Sequence, residues 1–90
     1  MKYLAMLTIV NQERNQETRP EHLKYVNDLF LQAKVFAAGP FPDGKGGLVI
    51  YDCESDEEAI RLANADPAVT SGARTVEVRA WTTLELPLER

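Results

Sequence analysis

From Lys2 to Val10 the chain is apolar on both alternations of an extended strand. Tyr3, Ala5, Leu7 and Ile9 fall on one side, and Leu4, Met6, Thr8 and Val10 on the other. Side chains in a strand alternate between faces, so a strand of this kind is central in its sheet and covered on both sides. A chain of 90 residues holds few elements to do that covering. A domain of this size buries only about 60–65% of the surface its unfolded form exposes, so a second copy to pack against would help. The polar run Asn11-Gln12-Glu13-Arg14 follows with no small-residue cleavage site, so the opening segment reads as a first strand and not as a signal peptide.

The elements that follow are marked by local chemistry. Asn11 to Glu17 is polar and reads as a loop. Thr18-Arg19-Pro20-Glu21 is a capping box with proline in the first turn. It predicts a helix from Thr18 to about Ala33, with an apolar stripe of Leu23, Val26, Phe30 and Ala33. Residues 34–41 read as a strand ending at Gly39-Pro40, 42–47 as a flexible turn, and 48–53 as the return strand of a hairpin. Ser55-Asp56-Glu57-Glu58 is a second capping box, with Ala59, Leu62 and Ala63 facing inward and Asp66-Pro67 ending the helix near Ala65. Residues 73–82 form a last strand in which Val76, Val78 and Ala80 alternate with Glu77, Arg79 and Trp81. The chain is expected to be one domain over 1–90, in which 83–90 is a tail whose Leu84, Leu86 and Leu88 suit a fifth strand.

The order β-α-β-β-α-β predicts an α+β fold, the ferredoxin-like split β-α-β sandwich. In it an antiparallel sheet carries both helices on one face. The other face then needs a cover. The two-sided first strand and Trp81 point to a homodimer that closes two sheets face to face, with assemblies of dimers as a further option.

Charge and composition remove several classes of function. The net charge is −4, with the acidic excess in the second half, and there is no basic stripe or aromatic RNA-binding motif, so no nucleic-acid partner is expected. No apolar run approaches the roughly 18–20 residues of a membrane span. A single cysteine, Cys53, cannot form an internal disulfide, which suits a reduced, cytoplasmic protein. The cluster Asp52, Glu54, Asp56, Glu57 and Glu58 complements a helix N-terminus, and with one histidine and one cysteine in the chain no metal site is expected. Gly39, Gly44, Gly46 and Gly47 lack the spacing of a phosphate-binding loop, and no cofactor is expected.

Two residues stand out. His22 is the only histidine, placed in the first turn of the expected helix beside Leu23 and Val26. It reads either as a half-exposed surface residue or as a proton carrier. Asp66 continues the inward face of Ala59, Leu62 and Ala63, where its charge meets the unfavourable end of the helix dipole. It reads either as the cap of a short turn, Pro67-Ala68-Val69-Thr70, or as a carboxylate held for a purpose.

Arg19-Pro20-Glu21-His22-Leu23, Ala38-Gly39-Pro40, Asp66-Pro67 and Val78-Arg79-Ala80-Trp81, in that order, resemble the YciI-like (YCII-related) family over nearly the whole chain. That family is similar in fold to muconolactone isomerases and includes a dehydrochlorinase of chlorinated aromatics. The resemblance implies a ferredoxin-like dimer, a dimeric α+β barrel, with a His–Asp centre. On this chain the centre falls on His22 and Asp66. Arg19 matches the arginine before the histidine and would hold a substrate carboxylate or enolate oxygen. Gly39, Pro40 and Phe41 would form the wall of the cleft. Ala80 stands where many members have proline, and the loop 42–47 is short, so substrate size does not transfer. The implied function is a small cofactor-independent lyase or isomerase acting on a small cyclic molecule. A non-catalytic ligand-binding or structural dimer is the alternative, and a haem-degrading monooxygenase relative is a third option.

Overall fold

The computed structural model describes residues 1–88. The elements are β1 (Lys2–Ile9), α1 (Gln12–Leu31), β2 (Val35–Pro40), β3 (Gly46–Asp52), α2 (Asp56–Asn64), the single turn α3 (Pro67–Thr70) and β4 (Arg74–Trp81). The sheet order is β2-β3-β1-β4, with every pair antiparallel. Each helical crossover joins strands that are not neighbours, because another strand is inserted between them. This is the ferredoxin-like fold expected from the element order. β1 is central as its apolarity predicts. No helix among the described residues is long and apolar enough to cross a membrane.

One sheet face is sealed by the helices. Tyr3, Ala5 and Leu7 of β1, Val49 and Tyr51 of β3, and Ala59 and Ala63 of α2 form the core with Leu29 and Val35. Alanines on α2 let that helix lie close to the strands. The opposite face carries Leu4, Met6, Leu48 and Ile50, all half-buried, with Phe36 and Trp81 exposed at 58% and 42%. Within one chain β1 is therefore covered on one side only.

The second half begins where its capping box predicts. Ser55 caps α2 by accepting from the Glu58 N–H at 3.2 Å. The Glu58 carboxylate reaches back to the N–H of Glu54, one residue before the cap. The first half departs from expectation. α1 starts at Gln12, six residues before Thr18, and Asn11 is its cap, accepting from the Arg14 N–H at 2.9 Å. Thr18 lies inside the helix and its hydroxyl donates to the Arg14 carbonyl. Residues 12–17 are mostly good helix formers, and two bonds to residues near the start of β4 hold them. The Arg14 guanidinium donates to the Ser71 carbonyl and the Arg74 guanidinium to Asn15. Pro20 is accommodated within the helix at the loss of one backbone donor.

Two further expectations are corrected. No strand is assigned to residues 82–88, so the tail adds no fifth strand among the described residues, and 89 and 90 lie outside them. Of the expected stripe only Val26 packs against the core, and Ala33 lies beyond the helix end. Leu23 and Phe30 are 50% and 55% exposed. The space beside them is a cavity.

Candidate active site

The cavity of about 560 Å³ lies between the second half of α1 and the β2–β3 end of the sheet. Leu23, Val26 and Phe30 line it from α1, and Val35, Ala38 and Pro40 from β2. Its room comes partly from Gly47, which pairs with Pro40. A Cβ there would sit 2.7 Å from the Gly39 carbonyl oxygen and press on the strand that walls the cavity. The turn before it needs glycine at Gly44, whose φ is 74°. Gly39 and Pro40 line the cavity. Phe41 does not. It begins the turn, where its N–H donates to the Gly46 carbonyl, and it lies outside the cavity lining.

His22 is mid-helix because α1 starts early, and it is 8% exposed. Its Nδ1 lies 2.8 Å and 2.9 Å from the two carboxylate oxygens of Asp66, a residue 44 positions away and 1% exposed. The pair meets because α3, which Asp66 opens, packs on α1. The same Oδ1 also accepts the Ala68 N–H at 2.9 Å and caps α3, the short turn opened by Asp66-Pro67. An ionised carboxylate only accepts, so the imidazole Nδ1 carries the proton. Nε2 is then the ring nitrogen left for the cavity, which His22 lines and Asp66 does not. Chemically, a carboxylate at Nδ1 is able to fix an imidazole's orientation and leave its other nitrogen free to exchange a proton.

Arg19 also lines the cavity, from the exposed side of α1. Two residues not singled out by the sequence complete the polar set. Arg74, 5% exposed at the start of β4, reaches the cavity, and its Nε–H donates to Oδ1 of Asn15 at 2.7 Å. Burial pushes the Arg74 guanidinium below its ordinary range; Asp66 pulls it back, and the Arg19 charge adds to the depression. The available signal was a single arginine heading a strand whose next inward residues are Val76 and Val78. Asn15 fell in a segment read as loop. Among the described residues no group of three or more His, Cys, Asp or Glu side chains converges to hold a metal ion.

The sequence profile of the YCII-related domain matches residues 1–82. The uncharacterised protein YjpA of Bacillus subtilis (strain 168) is 33% identical over 76 residues, spanning 84% of this chain and 89% of that protein. Among solved structures, the 5-chloro-2-hydroxyhydroquinone dehydrochlorinase TftG from Burkholderia phenoliruptrix AC1100, in complex with 2,5-dihydroxybenzoquinone, superposes with a TM-score of 0.77. It is 22% identical, and the match covers 91% of this chain and 94% of that one. At that identity the likeness is one of fold.

Proposed function

The chain belongs to the YCII-related family, and from that premise we propose that it is a small cofactor-independent lyase or isomerase whose base is His22, oriented by Asp66. The observation that carries the reading is the buried contact of 2.8 Å between Nδ1 and the Asp66 carboxylate, at the wall of an apolar cavity. Nε2 takes a proton from a carbon beside a carbonyl or lactone, and the electron pair left behind forms the enolate. Return of the proton to another carbon migrates a double bond. Departure of a leaving group such as chloride completes an elimination. The dehydrochlorinase likeness supports the second outcome and an oxygenated ring as substrate. Arg19 holds an oxygen that gains negative charge, with Gly39 and Pro40 as wall.

The same reading includes a homodimer formed through the helix-free sheet face, since a patch holding Leu4, Met6, Leu48, Ile50, Phe36 and Trp81 is poorly suited to water. It is a cytoplasmic protein, where a free, buried thiol such as that of Cys53 persists.

The first test needs no substrate. Nitrogen-15 NMR of the imidazole should show the Nδ1–H tautomer in the wild type and its loss in Asp66→Ala. The second is chloride release from chlorinated hydroxyquinols, together with deuterium exchange from solvent into lactones and hydroxyquinones. His22→Asn should lower the rate by about 10²–10⁴-fold. Rates in His22→Asn equal to the wild type, or a wild type inert to the whole panel, would overturn the enzymatic reading in favour of a non-catalytic ligand-binding dimer.

A further inference from the structure

The net charge of the chain is −4, yet no aspartate or glutamate lines the cavity, while two arginines do. Arg19 is exposed, and such a guanidinium is satisfied by water. Arg74 is not in that position. It is 95% shielded; among the described residues its one side-chain hydrogen bond is the Nε–H to Asn15, and no carboxylate lies within ion-pair distance of it. The nearby Asp66 is occupied by His22 and the Ala68 N–H. A buried cation is ordinarily matched by an anion, because desolvation is otherwise uncompensated. The remaining guanidinium nitrogens are not sealed away, and Arg74 lines the cavity.

We propose that Arg74, held in place by Asn15, is the anion anchor of this cavity, and that the cavity takes small organic anions with a compact apolar body and a carboxylate or ring-oxygen anion at one end. The geometry suits this division. A guanidinium presents paired N–H donors that match two oxygens of a carboxylate, and the use of Nε by Asn15 fixes the plane of the fork. The apolar body then lies against Val26, Phe30 and Val35, with His22 on the same wall. Asn15 is a positioning residue: it touches the anchor and not the ligand. The proposal rests on reading the cavity as a substrate site, but its readout is binding and does not depend on the base.

The test compares benzoate with its neutral isostere benzamide by titration calorimetry in low-chloride buffer, using the full chain. The wild type should prefer benzoate by about tenfold or more, as expected for a charge-assisted paired contact. Arg74→Met should abolish the preference, with circular dichroism reporting whether the fold is kept. If that variant unfolds, Asn15→Asp decides. It is nearly isosteric and places a carboxylate on Arg74, so it should remove the preference while leaving benzamide binding unchanged. Arg19→Gln should lower the preference only slightly, and His22→Asn should keep it. Equal affinity for the two probes, no benzoate binding at millimolar concentration, or a preference that follows Arg19 and survives both Arg74→Met and Asn15→Asp would overturn the proposal. Loss of the tautomer signal at His22 with the benzoate preference intact would count against the base alone.

Discussion

Val49 and Tyr51 of β3 point toward the helices and are sealed there, whereas Leu48, Ile50 and Asp52, each one residue away, face the side that no helix covers. The two faces of one sheet thus obey different rules. On the helix-covered face the chain supplies its own lid. It has helix to spare, so that the apolar stripe of α1 lines a cavity instead of filling a core. On the bare face the same strands carry apolar side chains with nothing from their own chain above them. A single sheet separates a site from a surface that suits a partner, and the alternation of side chains with period two keeps them apart.

The largest expected effect tests that division on adjacent residues. Val49→Asp puts a charge into the sealed core, at a cost of several kcal/mol against a total stability of about 5–15 kcal/mol, and the chain should not fold. Ile50→Asp puts the same charge on the bare face. Circular dichroism should then report a folded chain and light scattering a monomer. If Ile50→Asp also unfolds the chain, the bare face is part of the protomer's own stability and the contrast fails. A wild type that already scatters as a monomer, or a dimer that survives Ile50→Asp, would mean that no second copy sits on this face.

This contrast bears on what the sequence could reveal. The element order, the second helix and its Ser55 cap are legible in the sequence, because each rests on a local pattern that tertiary contacts reinforce. The start of α1 is not. The Thr18 box is a sound local signal, but Asn15 and Arg14 gain partners on Arg74 and Ser71 that lie far away in the chain. Those partners draw the helix back to Asn11. The same shift moved His22 from a first turn to mid-helix and from half-exposed to buried. Family resemblance, not periodicity, brought His22 and Asp66 together as a centre, since 44 residues separate them. Asn15 and Arg74 carried neither motif nor periodicity. An apolar stripe on a helix reads the same whether it meets a core or a cavity, so the sequence does not distinguish the two for Leu23 and Phe30.

A smaller effect sharpens the contrast through pH. Burial pushes the Tyr51 phenol well above its ordinary 10.0, with the Asp66 charge adding to the shift. The unfolded chain releases this proton above about pH 10 while the folded one holds it. The associated stability is therefore complete below pH 10 and is lost on going higher, at up to about 1.4 kcal/mol per pH unit. Tyr51→Phe should flatten the alkaline limb of a denaturation series. Tyr25, raised in the same direction by burial, keeps part of the slope. An unchanged limb in Tyr51→Phe would mean that the phenol already meets water.

The smallest effect comes from the next residue, on the other face. Asp52 accepts from the Lys2 ammonium at 3.1 Å, and the N-terminal ammonium lies 3.4 Å away. The hydrogen bond from Lys2 is the main cause that holds the Asp52 carboxyl below its ordinary 3.8, against a smaller opposing contribution from burial. A lowered folded value means stability that is present above pH 3.8 and lost as pH falls through the lowered one. The Asp52 side chain is 43% exposed, so water and salt screen the pair, and the contribution in one isolated chain stays below about 1 kcal/mol. Lys2 also lies 5.0 Å above the Phe36 ring, which ties this ion pair to the apolar patch on the bare face. A second copy seated on that patch would exclude water from the pair and strengthen it. Acid unfolding of wild type and Asp52→Asn should then differ more at protein concentrations that favour the dimer than in the monomeric background of Ile50→Asp. Equal differences in the two backgrounds would mean that the partner does not reach Asp52, and would shift the expected contact toward Leu48 and Met6, at the other end of the bare face.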